Sequence, residues 1–355
     1  MLSKTATPFV ASNNHTGQKL FNITEPHSVI SPLSIAFAFS LVHLGSAGNT
    51  RKQLTDLFES ENTLENLLQI YELSNNSIMK MANCFVVNDA FKLKNEYLAM
   101  VQKIATIVTR DFSQSVQVAK ECNDFIEQGT NNLITNIVKP TMITPDTVSI
   151  LINTLYFKTI WAKCFKKIKT QEKLFNGKSM VPMMKKRNLI PYFENEQVQV
   201  IELVYQDSEY GMVFILPKHV DDIKNCVKYL FHGVNFKHYH VDCEIPKFTQ
   251  QKQMNLKPLL QKMGVTDLFS SDANLSNMSD DRLYVSEAIH EAVVIVDESG
   301  TEGTDVTVID CFSAACCETE VKIYMEFYAH HSFIYGIRHR SANTILFAGD
   351  YRGDT

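Results

Sequence analysis

Apolar positions along this chain follow two regimes, and the change falls near residue 148. Before it the pattern is helical. SPLSIAFAFSLVHLGSAG (31–48) is apolar almost without a break from Leu33 to Leu44. Ser31 stands as a candidate N-cap, with Pro32 at the first helical position, where its missing N–H costs nothing. Gly45 and Gly48 can close the helix. A helix apolar on nearly all sides is a buried one. NEYLAMVQKIATIV (95–108) and ECNDFIEQGTNNLITNIV (121–138) show the spacing of amphipathic helices.

After residue 148 the apolar runs become short, rich in Val, Ile, Tyr and Phe, and bounded by turn residues. VSILINTLYF, YGMVFILP, HVDCEIPKF, LYVSEAIHEAVVIVDE and TILFAGDY read as strands. LKPLLQKMG and VDDIKNCVKYLF read as helices between them. Helices early and strands late predict an α+β fold rather than a βαβ alternation. No repeat and no long Pro/Gly/Ser-rich linker divides the chain, so residues 1–355 are expected to form a single domain.

Composition narrows the function classes. With 34 Lys and Arg against 39 Asp and Glu, the net charge of −5 gives no basic face for nucleic acid. No stretch approaches the roughly 18 apolar residues of a membrane span. The start, MLSKTATPFVASNNHTGQKLF, lacks a signal-peptide run, so the expected location is cytoplasmic, with unconventional secretion left open. The 8 cysteines are too sparse for a disulfide framework and suit a reducing compartment.

Six separated motifs then occur in one order. They are VISPLSIAFAFSLVHLGSAGNTRKQL; INTLYFKTIWAKCF with Thr170 and Phe175 following in step; IELVYQDSEYGMVFILP; EIPKFTQQKQMNLKPLLQKMGVTDLF; LYVSEAIHEAVVIVDESGTE; and SFIYGIRHRSANTILFAGDY. Together they resemble the serpin family over nearly the whole chain, most closely its members without signal peptides. The departures are Val204 and Ser332, where the family usually has proline, and Asp350, where it usually has arginine. The resemblance implies about nine helices around three β-sheets, with an exposed reactive-centre loop. It also implies a protein that is not an enzyme. Inhibitory members are suicide substrates: a protease attacks the loop and is trapped as its acyl-enzyme while the loop inserts into the largest sheet.

On that resemblance the reactive-centre loop spans about residues 298–322, with Glu298 as the hinge residue and Lys247 as its salt-bridge partner. Counting sixteen residues from Glu298 sets the scissile bond at Ala314–Ala315, with Ser313–Ala314 as the neighbouring choice. A small residue before the cut suits an elastase-like serine protease; a cysteine protease, including one cutting after Asp310, is the rival target. The hinge must become a strand, in which side chains alternate between faces. Thr301, Gly303, Asp305 and Thr307 then share the face that enters the core. Gly300 and Thr301 fit the inhibitory pattern, whereas Asp305 would bury an unpaired carboxylate. The alternative is therefore a serpin without inhibitory activity, with a binding, storage or folding-related role.

Ser31, Ser34, Asn153 and His290 match the family's polar shutter cluster beneath the sheet. Such buried groups must find hydrogen-bond partners. Trp161, the only tryptophan, lies where relatives carry one near the top of the sheet.

Other signals carry less. Cys311, Cys316 and Cys317 lack the spaced ligand pairs that zinc requires, so neither metal nor cofactor is expected; loop thiols open to oxidation are the stronger reading. A cysteine-protease pairing with His330 or His331 has no local signature. The basic runs KKIKT (166–170) and MMKKR (183–187) read as solvated faces. ESENTLENLLQIYELSNNS (59–77) has four glutamates and no lysine or arginine, so heparin is not an expected partner. The expected partner is a target protease and the expected state a monomer.

Overall fold

Ser31 opens a helix, as its position before Pro32 suggests. The computed structural model describes residues 8–59, 68, 78–102, 104–301 and 324–353. Helices α1 (Pro8–Ile23), α2 (Pro32–Gly45) and α3 (Gly48–Phe58) come first. The Ser31 hydroxyl accepts from the Ser34 N–H at 3.3 Å, satisfying one donor that the helix itself cannot. α2 is buried on every side, from Pro32 through His43. It ends at Gly45, and Gly48 adopts a left-handed φ of 53° to begin α3.

The two other long helical readings are shortened. α4 (Asn95–Val101) stops early, because Thr106–Arg110 pairs as an edge strand, where β-branched residues fit the pleat. α5 (Ser115–Gly129) starts earlier than expected and stops at Gly129. Beyond it Asn131, Asn132 and Asn136 take left-handed φ values of 50°, 61° and 56°, which break helical continuation.

The strands form two hydrogen-bonded networks among the described residues. One runs β3 (Thr106–Arg110), β2 (Met79–Asn88), β4 (Ser149–Phe157), β12 (Glu287–Val296), β13 (Gly300–Thr301) and β5 (Thr159–Ile160), with β11 (Phe248–Asn255) on the other side of β12. The other runs β1 (Val29–Ile30), β16 (Thr344–Tyr351), β15 (Phe333–His339), β9 (Tyr210–Pro217), β8 (Val198–Val204), β7 (Ser179–Glu194), β10 (Lys237–Pro246) and β14 (Met325–Tyr328). β6 (Gln171–Phe175) pairs with β7 as well. The 16-residue β7 explains why two networks stand where three sheets are implied. One stretch of it pairs with β6 and β10, and its last residues pair with β8, joining two sheets into one.

β4 is buried along its whole length, which is why SILINTLYF reads as an unbroken apolar run. Leu151, Leu155 and Phe157 enter the main core, between the sheets and α2. Ile150 and Ile152 face the opposite way, into a smaller core beneath α5. This double burial fixes which side of the sheet faces α2, and the candidate site lies there.

Gly303, Asp305, Asp310, the three loop cysteines, Ser313, Ala314 and Ala315 lie outside the described residues, as does nearly all of the glutamate-rich segment 60–77.

Candidate functional site

β4 and β12 run side by side and parallel over Ile150–Leu155 and Glu287–Ala292. Above that level they part, and the chain itself fills the opening. β12 turns back at Asp297–Gly300, where the Asp297 carboxylate accepts from the N–H groups of Ser299 at 2.7 Å and Gly300 at 3.0 Å. β13 then enters antiparallel between the two: Thr301 pairs with Val296 of β12 and with Thr159 of β5. Gly300 is required for this approach. A Cβ there would lie 2.6 Å from Ile160 Cα and closer still to the Thr159 carbonyl oxygen.

The side chains around this wedge hold it from three directions. Thr301 is buried, its hydroxyl 2.6 Å from the Tyr205 hydroxyl. Tyr205 stacks on Trp161, with ring centroids 4.6 Å apart and planes at 6°. Trp161 reaches the turn twice: its indole N–H donates to the Asp297 carbonyl at 2.9 Å and its backbone N–H to the Ser299 carbonyl at 2.8 Å. Lys186 lies over the Phe165 ring at 4.1 Å and the Trp161 ring at 5.7 Å, and burial pulls its ammonium down to about 8.

Glu298 and Lys247 meet as expected, with Nζ and Oε2 3.1 Å apart. Thr170 is a further partner, its hydroxyl donating to Glu298 Oε1 at 2.8 Å. Burial pushes the Glu298 carboxyl up, but hydrogen bonds from Thr170, the backbone and Lys247 outweigh it and hold the group below its ordinary value. The carboxylate is buried while Lys247 stays half exposed, so the pair is tighter than a surface bridge.

The four shutter candidates come together with a fifth residue. Asn153 and His290 are register neighbours on β4 and β12. The Ser31 backbone N–H donates to His290 Nε2 at 3.1 Å, so the ring's proton sits on Nδ1 and donates to Asn153 Oδ1 at 2.7 Å. Ser34 Oγ donates to the same Asn153 oxygen at 2.8 Å, and the Asn153 amide donates to the Ser34 carbonyl at 2.7 Å. Asn153 also donates to Asn83 Oδ1 on β2. α2, β2, β4 and β12 are thereby joined through one asparagine. Burial lowers the His290 pKa to about 3, so the imidazole is neutral at physiological pH.

Asn83 and Tyr205 carried no sequence signal: MANCFVV and IELVYQD mark them only as strand residues. The MMKKR run is not a plain solvated face. Lys185 and Arg187 pair across β10 with Glu244 at 2.8 Å and Asp242 at 2.9 Å, while Lys186 turns the other way under Trp161, as strand alternation requires. His330 is bound to Glu244 at 2.7 Å and His331 to the Ser332 carbonyl at 3.1 Å. Among the described residues no group of three or more His, Cys, Asp or Glu side chains could hold a metal ion, and no helix is long and apolar enough to cross a membrane.

Known proteins share this fold. Residues 11–352 match the family model described as serpin (serine protease inhibitor). A serpin-like protein of Acanthamoeba polyphaga mimivirus is 36% identical, covering 97% of this chain and 89% of its own length. Neuroserpin of Homo sapiens is 31% identical, covering 90% and 84%. Among solved structures, native protease nexin-1 with heparin superposes with a TM-score of 0.86 at 23% identity, covering 98% of this chain and all of its own. Uncleaved ovalbumin gives a TM-score of 0.84 at 23% identity, over 98% and 100%.

Proposed function

The chain belongs to the serpin family, whose members are protease inhibitors rather than catalytic enzymes, and from that premise we propose that it traps its target as a suicide substrate. The target cuts the loop at Ala314–Ala315 and is an elastase-like serine protease, a cysteine protease being the second choice. The observation that carries this reading is the wedge. Thr301 already sits as a buried strand residue between β5 and β12, so insertion need only extend a strand whose register is set.

Continuing that register residue by residue gives the contacts of each later step. Gly303 would lie between Phe157 and Val294, Asp305 between Leu155 and Ala292, and Thr307 between Asn153 and His290. Residues opposite one another on antiparallel strands share a face, so all three would point where Thr301 points, into the main core. Gly303 fits any space. Thr307 would arrive at the polar Asn153–His290 level, where its hydroxyl could replace the contact between them that must break as the strands part. The step between them is the difficult one. Leu155 and Ala292 are fully buried and offer Asp305 no partner, and a lone carboxylate there would have to be neutralised.

That same contact supports the second reading, a serpin that does not inhibit. The fold also serves binding: thyroxine-binding globulin, solved as a complex with thyroxine, superposes with a TM-score of 0.83 at 21% identity.

One experiment separates the two. The loop is cleaved with a non-target protease and thermal unfolding is followed before and after. Full insertion should raise Tm by tens of degrees, since an added central strand buries a further row of core side chains. An unchanged Tm after cleavage would overturn the trapping mechanism. A panel of proteases scored for SDS-stable complexes then identifies the target class.

A further inference from the structure

We propose that the cavity between α5 and the β3 edge of the sheet built on β4 and β12 binds a small monocarboxylic acid with an apolar tail. It measures about 190 Å³ and lies between β2, β3 and α5. Val86 and Val108 from the strands, Val118 and Phe125 from the helix, and the thiols of Cys84 and Cys122 form its walls. Burial pushes the Cys122 thiol up to about 11 and Cys84 higher still, so both stay protonated and act as apolar wall. The interior therefore carries no charge at neutral pH. An apolar cavity holds water poorly, which favours an apolar occupant.

The margin is different. Arg110 closes one side, with Nε bound to Glu121 Oε2 at 2.5 Å and Nη1 to the Thr109 carbonyl at 2.9 Å. Those bonds use two of the five N–H donors of a guanidinium, so Arg110 can hold a second carboxylate or exchange Glu121 for it. Glu121 is itself retained by Gln117 at 3.0 Å, which lets it swing aside without being stranded. An apolar pocket with one cation at its mouth is complementary to an acid whose tail enters and whose carboxylate stays at the rim. The volume is below the roughly 300–1,000 Å³ of drug-sized sites, which limits the tail to about eight carbons.

This site stands apart from the reactive loop, and its test does not depend on inhibition. Octanoate is titrated calorimetrically into the full-length protein, with octanol as the uncharged counterpart. Saturable binding at one site is expected. Val118→Trp and Cys122→Phe, which fill the cavity from the helix side, should each abolish it, their circular dichroism spectra showing that they fold. Arg110→Met should weaken octanoate by about tenfold and leave octanol unchanged, since only the acid uses the guanidinium. No saturable octanoate binding to the native protein, or unchanged binding in a folded cavity-filled variant, overturns the site. Equal octanoate affinity in Arg110→Met overturns the choice of an acid.

Discussion

The Tyr205 hydroxyl lies 2.6 Å from Thr301 Oγ1, and this bond seats the first residue after Gly300 inside the sheet. Tyr205 belongs to the turn after β8 and Thr301 to the start of the loop, so the contact ties the loop's resting position to a part of the molecule that loop insertion need not move. Tyr205→Phe leaves the Thr301 hydroxyl buried without a partner, and Thr301→Val does the same to Tyr205. Each should destabilise by about 1–3 kcal/mol. The double variant should cost clearly less than the sum, because both orphaned groups are then gone. Urea denaturation of the four proteins measures this, and strict additivity would show that the bond contributes nothing.

Gly300→Ala tests the wedge by crowding it. The added methyl meets backbone at Ile160 and Thr159 rather than a side chain that could turn away. The hinge should leave the sheet, exposing Thr301 and making the segment after Asp297 a faster substrate for a broad-specificity protease. A native cleavage rate in Gly300→Ala would mean that the wedge is not seated as described.

His290 makes stability depend on acid. Its folded pKa, about 3, lies below the ordinary 6.5, so the unfolded chain takes up the proton first. The contribution is therefore complete above pH 6.5 and is lost progressively as pH falls toward 3. Between pH 7.5 and pH 5 the loss from this residue should be about 2 kcal/mol. His290→Gln, which cannot titrate, should be less stable at pH 7.5 and should fall less between the two values. Parallel curves for both proteins would assign the acid sensitivity elsewhere.

Asp305→Ala addresses the step between Leu155 and Ala292. Removing the carboxylate takes away a burial cost on the order of several kcal/mol. The rise in Tm after loop cleavage should be larger than in the native protein, and fewer inhibitor molecules should be consumed per protease trapped. Should both quantities stay unchanged, Asp305 does not limit insertion.

Lys247→Met should cost less than Glu298→Ala. With Lys247 gone, Thr170 still donates to the buried carboxylate at 2.8 Å, whereas removing Glu298 strips partners from both. The expected difference is about 1 kcal/mol, read from thermal unfolding. The reverse order would show that Lys247 rather than Thr170 holds the hinge.

What could be read from the chain alone was local or patterned. The cap at Ser31, the all-round apolar helix behind it and the unbroken strand Ser149–Phe157 each follow from residues a few positions apart. Motif order pointed to the family, and with it to Glu298, Lys247 and the shutter candidates Ser31, Ser34, Asn153 and His290. The reading failed where a partner far along the chain decided the outcome. Ala105–Val108 fits a helix by spacing, but pairing with β2 makes most of it a strand. Lys185 and Arg187 resemble solvated charge until β10 brings Glu244 and Asp242 opposite them. Asn83 reaches Asn153 across 70 positions and Tyr205 reaches Thr301 across 96, and no spacing rule spans such gaps. The sequence by itself determined the buried strands β4, β9, β10, β12 and β16 and the candidate hinge residues. Only the tertiary structure decided that Thr301 is seated between β12 and β5, because cross-strand register arises when distant segments pair.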